Sequence, residues 1–267
     1  MPRFALRAAV PGAAAEALAD ALLEAGAESV SIEAPDAARP LLRALLADRG
    51  ALERCRALLP QPCEVCELAD RDWVRASQAQ FEPLAIGERL WIGASWHEPP
   101  VASAVVRIDP GLAFGTGSHP STRLVLRFLE QGLKGGERVL DYGCGSGILA
   151  IAAAKLGAAR VDAVDVDFQA LEATCANAAA NAVAVRACAP EALAPGRYDV
   201  VVANILAQPL IVLAPALAAR TETGGVIALS GLLEAQGTEV AAAYAPWFRE
   251  QSAAREEGWL LVIGRKA

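Results

Sequence analysis

The chain has 267 residues, a formal charge of −7 and an apolar content of 54%, enough for one large domain, or a medium domain and a small one, around a sizeable core. The acid excess argues against a broad nucleic-acid footprint, which needs clustered Lys and Arg, and no apolar run reaches the roughly 18–20 residues of a membrane span. Six cysteines in no regular framework, with no leader-like segment before the first strand pattern, point to a cytoplasmic chain with reduced thiols.

Phe4, Leu6 and Ala8 alternate with Arg3, Ala5 and Arg7, which is strand spacing. Pro11-Gly12 breaks the strand. Residues 13–25 form a predicted helix with Leu18, Leu22 and Leu23 on one face and Glu16, Asp20 and Glu24 on another, ended by Gly26. Residues 29–34 alternate again. Residues 41–59 carry a helical pattern, interrupted near Gly50 and stopped by Pro60 and Pro62, and residues 63–68 read as a further strand. The expected N-terminal module is thus a small α/β unit, 1–69, in β-α-β-α-β order. Its balanced charges announce no ligand, and a substrate-recognition role is expected. Cys63 and Cys66 form a C-x-x-C pair, but the chain's two histidines, His97 and His119, do not complete a metal site, and none is predicted.

Residues 70–100 read as a linker, with a connecting helix over 70–81. Strands are predicted over 89–95 and 102–108, and Trp91 and Trp96 are packing residues. The stretch 109–122 contains Gly111, Gly115 and Gly117, a loop that needs unusual backbone angles or close contact. Pro120 suits the first position of a helix running over 121–131, with Ser118 or His119 as its cap. Ser121 and Thr122 then place hydroxyls in its first turn, where they could face a ligand. His119 fits a capping or loop residue better than a catalytic base.

From Arg138 onward strands and helices alternate. Val139 and Leu140 close a buried strand, Asp141 ends it, and Gly143, Gly145 and Gly147 make a tight turn into a helix over 148–156. Strand, glycine turn and helix open a nucleotide-binding βαβ unit, and the helix start offers N–H groups to a polar ligand. A dinucleotide fingerprint would need glycine at 148, where the chain has Ile148. The spacing is G-x-G-x-G, and a carboxylate stands two residues before it. That carboxylate repels a pyrophosphate but suits an ammonium and a sulfonium, so the turn favours S-adenosylmethionine over NAD. The next strand, 161–166, ends at Asp165, an acid suited to ribose hydroxyls in either cofactor. Cys144, inside the turn, packs small rather than reacts.

Further helices are predicted over 168–181, 209–219 and 236–244. Strands are predicted over 183–187, 198–203 and 226–229, with a closing antiparallel pair, 248–255 and 259–263, joined at Gly258. The pattern is a doubly wound sheet with a reversed edge strand. Asp141, Asp165 and Asn204 fall at the carboxyl ends of its strands, where ligands bind in such folds.

Three stretches carry a family resemblance: Ala113-Phe114-Gly115-Thr116-Gly117-Ser118-His119-Pro120-Ser121-Thr122, Asp141-Tyr142-Gly143-Cys144-Gly145-Ser146-Gly147-Ile148-Leu149-Ala150, and Val202-Ala203-Asn204-Ile205-Leu206-Ala207. Leu229-Ser230-Gly231 and Gly264-Arg265-Lys266 add to them. Over about residues 70–267 the chain resembles the methyltransferases of large-subunit ribosomal protein L11, the PrmA family. The first and third stretches are specific to that family; the second alone indicates only a methyltransferase. The resemblance implies a class I methyltransferase domain over 101–267, a Rossmann-like seven-stranded sheet. It implies S-adenosylmethionine at Thr122, Gly143, Asp165 and Asn204, with Asp141 and Gly145 from the glycine turn itself. It also implies methylation of lysine side chains and an N-terminal amine on L11, with a ferredoxin-like N-terminal domain recognising that substrate. Here little chain separates the strand ending near Ala34 from the pattern starting at Leu41, so that module is expected to be shortened by a strand.

The implied chemistry is in-line attack of a neutral amine on a sulfonium methyl. Desolvation lowers the amine's pKa, and alignment does the rest. Asn204 is the candidate catalytic residue, its carbonyl accepting an N–H of the acceptor. Asn-Ile-Leu-Ala at 204–207 lacks the Asn-Pro-Pro-Tyr of enzymes that act on nucleobase or glutamine amides. The rivals are a methyltransferase of the same fold acting on another protein lysine or a small molecule, a cofactor-binding protein with a dead site, and a dehydrogenase, which Ile148 disfavours.

Overall fold

The computed structural model describes residues 3–33, 39–59, 63–68, 82–100, 104–109 and 117–267. The chain divides into two compact units, 1–81 and 82–267.

In the first unit the order is β1 (Arg3–Ala9), α1 (Ala15–Glu24), β2 (Ala27–Glu33), β3 (Leu41–Leu46), α2 (Arg49–Leu58) and β4 (Glu64–Leu68). The strands lie in the order β2-β3-β1-β4 and every pair is antiparallel. This is the β-α-β-β-α-β arrangement of ferredoxin-like folds, and it corrects the expectation of a shortened module. The strand thought missing is β3, hidden at the head of the segment read as one helix. The leucine pairs Leu41-Leu42 and Leu45-Leu46 recur at a spacing of four, which satisfies a helix as well as a strand. Pairing on both flanks decides it: Ala44 lies opposite Leu6 on β1 and Val30 on β2. Leu42, Ala44 and Leu46 turn into the core with Leu6 and Leu22. Asp48 then starts α2, its carboxylate accepting the Ala51 N–H at 2.8 Å.

In the second unit β5 (Leu84–Ile86), β6 (Leu90–Gly93) and β7 (Ala104–Arg107) form a three-stranded sheet. Part of the stretch read as linker, 82–100, therefore folds within this unit. The connecting helix read over 70–81 lies outside the described residues. Next come α3 (Pro120–Gly132), β8 (Arg138–Tyr142), α4 (Ile148–Lys155), β9 (Arg160–Val164), α5 (Phe168–Ala180), β10 (Arg186–Cys188), β11 (Tyr198–Asn204), α6 (Ala207–Arg220), β12 (Thr221–Leu233), α7 (Gly237–Tyr244), β13 (Phe248–Glu256) and β14 (Trp259–Lys266).

The large sheet runs β10-β9-β8-β11-β12-β14-β13. The first five strands are parallel, and β14 is antiparallel to both neighbours. The reversed strand thus lies one place in from the edge, with β13 outside it. Strand order runs outward in opposite directions from β8 and β11, which makes their carboxyl ends the crevice where doubly wound folds bind ligands. One face is covered by α3, α4 and the small sheet, where Ile92, Val106 and Ile108 pack with Val125, Leu129 and Ile151. The other is covered by α6 and α7 around Leu210, Leu217, Val240 and Tyr244.

Candidate active site

The glycine turn follows β8. Gly143, Gly145 and Gly147 all have positive φ (+86°, +54° and +80°), the region glycine enters without steric cost. The turn is stitched to the end of β9. Gly143 and Cys144 donate their N–H groups to the Val164 carbonyl at 2.7 and 3.0 Å. Gly145 donates to Asp165 Oδ2 at 2.9 Å, and Gly147 to the Cys144 carbonyl at 2.8 Å. These four donors are already used within the protein, so residues 143–147 meet a ligand as close-approaching backbone.

Asp141 lies beneath the turn. Side chains alternate along β8, so Asp141 shares the face of Val139, toward α4, and is fully buried. Its Oδ2 accepts the Ala150 N–H at 3.1 Å, and its Oδ1 has no partner among the described residues. Burial pushes its pKa up to about 7; the charge of Asp165 adds to that, and the Ala150 hydrogen bond opposes it. The neighbouring Cys144 thiol is raised to about 12, mainly by burial, and its sulfur accepts the Thr174 hydroxyl at 3.3 Å, an arrangement that keeps it unreactive.

A cavity of about 510 Å³ opens above the turn, within the range of small-molecule sites. Of the residues expected in the site, Gly143, Gly145, Asp165 and Asn204 line it, whereas Asp141 and Thr122 stand behind its wall. Asn204, at the end of β11, donates its Nδ2 to Thr122 Oγ1 at 3.1 Å. That leaves Asn204 Oδ1 buried without a partner among the described residues. His119 caps α3, its Nδ1 accepting the Ser121 N–H at 3.3 Å and lying 2.8 Å from the Ser121 hydroxyl. Its ring meets Trp259 edge to face at 4.5 Å.

The apolar wall was largely missed by sequence reasoning. Val166, Leu206, Leu213, Tyr142 and Trp259 all face the cavity. The readable signal was Val166, an apolar residue directly after the acid that ends β9; it is 86% exposed. Ile205 is wedged between two glycines: a Cβ at Gly143 would strike its Cγ2, and one at Gly231 (φ +84°) its carbonyl.

Does this site fit S-adenosylmethionine? Its apolar walls suit a purine, Asp165 retains lone pairs for ribose hydroxyls, and Asn204 Oδ1 is a desolvated acceptor awaiting a donor. Each feature answers part of that molecule, and the residues fit it. Among the described residues no group of three His, Cys, Asp or Glu side chains could hold a metal, and no helix is long and apolar enough to cross a membrane.

The strand order with one reversed strand, the glycine turn and the acid after the second strand define a Rossmann-like methyltransferase fold. Comparison with known proteins narrows the class. Residues 51–267 match the family described as ribosomal protein L11 methyltransferase (PrmA). The ribosomal protein L11 methyltransferases of Thiobacillus denitrificans and Neisseria meningitidis serogroup B are each 48% identical, with all of both chains covered. The crystal structure of ribosomal protein L11 methylase from Lactobacillus delbrueckii subsp. bulgaricus superposes with a TM-score of 0.63 at 35% identity, over 70% of this chain and 100% of that one. The chain belongs to the ribosomal protein L11 methyltransferase (PrmA) family.

Proposed function

We propose that the protein transfers methyl groups from S-adenosylmethionine to amino groups of ribosomal protein L11, both lysine side chains and the N-terminal amine. The observation that carries this reading is Asn204 at the end of β11, which lines one cavity with Asp165 and the glycine turn and whose Oδ1 is buried without a partner among the described residues. An unpaired buried acceptor is costly, and an acceptor amine approaching that point relieves it. The names of the relatives support L11 as the protein acted upon.

When bound, the cofactor supplies an electrophilic methyl on a sulfonium. The chain's residues do the rest. Asp165 holds the ribose hydroxyls, and Gly143 and Gly145 let the ligand come close to the backbone. Apolar walls exclude water and so favour the neutral amine, whose lone pair is needed for attack. Asn204 Oδ1 accepts one amine N–H and aims the lone pair along the line of displacement. The acceptor nitrogen would take the methyl that the cofactor supplies, and its surplus proton would pass to solvent. Among the described residues no side chain is assigned as a dedicated base.

In this reading residues 1–69 recognise the protein substrate, the unit 82–267 carries out the transfer, and the enzyme acts in the cytoplasm with no nucleic-acid or membrane contact of its own. The test is transfer of labelled methyl to purified L11, with Asn204→Ala alongside. Label lost in the variant, with cofactor still bound, supports the reading. An unlabelled L11 with a cofactor-loaded enzyme moves the substrate to another protein lysine or a small molecule.

A further inference from the structure

The cavity wall that carries Trp259 belongs to the terminal hairpin, whose strands pair up to Glu256 and Trp259 beside the turn. Strands β13 and β14 are joined by Glu257-Gly258, both at positive φ (+49° and +80°), a tight two-residue turn. On the inner side β14 pairs with β12, but that register slips between Leu229 and Leu232, at Ser230-Gly231. A slip of this kind interrupts the ladder and bends it, and here it lies close to the Leu233–Trp259 pair.

Besides the strand pairing and the Glu234 N–H that donates to the Gly258 carbonyl at 3.1 Å, side chains of α3 hold the turn, chiefly Arg123. Its Nε donates to Glu256 Oε1 at 2.7 Å, its Nη2 to Glu257 Oε1 at 2.6 Å, and its Nη1 to the Ser118 carbonyl at 2.6 Å. Arg127 Nη1 takes the other Glu256 oxygen at 2.6 Å. The Arg123 and Glu256 side chains are only 17% and 16% exposed, so solvent and salt screen them less than an open surface pair. One planar guanidinium therefore ties together the residue before His119, the first turn of α3 and the turn before Trp259. The His119–Trp259 ring contact closes the same loop.

We propose that Arg123 is a positioning residue for methyl transfer: through Glu256 and Glu257 it fixes the terminal hairpin, and with it the Trp259 wall of the acceptor site. This rests on the acceptor reading above. Lysine cannot reproduce the role, because a single ammonium cannot span three acceptors in a rigid fork.

The test compares Arg123→Ala and Arg123→Lys with Arg138→Ala. Arg138 makes a similar bidentate pair, with Asp199, but at the start of β8, away from the cavity. Amide hydrogen exchange over 256–261, S-adenosylmethionine affinity by calorimetry, and kcat and KM for L11 are measured for each. Arg123→Ala is expected to speed exchange over 256–261 and to lower kcat/KM for L11 by about tenfold or more, with cofactor affinity within about twofold of wild type. Arg123→Lys falls between. Arg138→Ala loses stability but keeps kcat/KM. Unchanged exchange in Arg123→Ala overturns the proposal. So does faster exchange with unchanged kcat/KM, or an equal loss in Arg138→Ala. If Arg123→Ala does not fold, Arg123→Lys and Glu257→Gln carry the same comparison. A wild-type protein that leaves L11 unlabelled overturns the acceptor reading alone, since the exchange arm needs no acceptor and still decides the clamp.

Discussion

Asn204 and Thr122 are joined by one hydrogen bond, Nδ2 to Oγ1 at 3.1 Å, that ties the end of β11 to the first turn of α3. Thr122 does not itself line the cavity; its hydroxyl holds the Asn204 amide by the nitrogen end. Thr122→Val keeps the volume and removes the acceptor, leaving a buried N–H unpaired at a cost of about 1–3 kcal/mol. The amide then has no reason to hold Oδ1 toward the acceptor. We expect lower thermal stability and about tenfold slower methyl transfer to L11. A variant as fast as wild type would show that the orientation of Asn204 is not used.

Asp141 predicts a pH effect on stability. Its folded pKa of about 7 lies above its ordinary 3.8. Between those values the native state holds a proton that the unfolded chain has released, so this group lowers stability as pH rises through the window and adds no further change above it. Asp141→Asn removes the titration and can still accept the Ala150 N–H. Its melting temperature relative to wild type should climb from about pH 4 to about pH 7 and then level off. A difference that stays flat across that range would refute the buried titration. Asp165→Ala, by deleting a neighbouring negative charge, should move the window to lower pH.

Asp165 has a second consequence. It accepts the Gly145 N–H at 2.9 Å and the Asp167 N–H at 3.0 Å, so it shapes the turn as well as facing the cavity. Asp165→Ala should weaken S-adenosylmethionine binding by roughly tenfold or more, the cost of a lost charged hydrogen bond, as measured by calorimetry. Unchanged affinity would sink the ribose assignment.

His119 serves α3 as its cap. His119→Ala should cost about 1 kcal/mol of stability and slow transfer by much less than the hundredfold or greater loss typical of a removed general base. The shape of the pH–rate profile should not change. Loss of a limb near neutral pH in the variant would make His119 a base after all.

How much of this was legible beforehand differs between the two units. In the second, glycine and proline punctuate apolar runs, and the elements from β8 to β14 fell close to their expected places. The third strand of the large sheet moved from 183–187 to Arg186–Cys188, because Val183 and Val185 looked like strand while packing beside the core instead. In the first unit β3 was lost inside a helix pattern, since leucine serves both periods. Leu84–Ile86 was too short to register. Asp165 and Asn204 could be placed because strand ends mark the crevice. The burial of Asp141 could not, since one residue of register decides whether a side chain faces the ligand or the helix behind it. Trp259 reaches the cavity through pairing with a strand distant in sequence, which no local pattern reports.

Both open margins of the large sheet are blunted against pairing with other chains. At one end β10 spans only Arg186–Cys188, too short to template a partner. At the other, β13 slips register between Phe248 and Glu250 and carries exposed Arg249 and Arg255. The first unit does the same with charge: the outer strands of its four carry exposed glutamates, Glu28 on β2 and Glu64 and Glu67 on β4. Short, bulged or charged edges are how sheet proteins avoid aggregating edge to edge. With these four margins of the two larger sheets treated this way, an apolar content of 54% is compatible with a chain that stays dispersed at the concentrations at which it must meet its substrate.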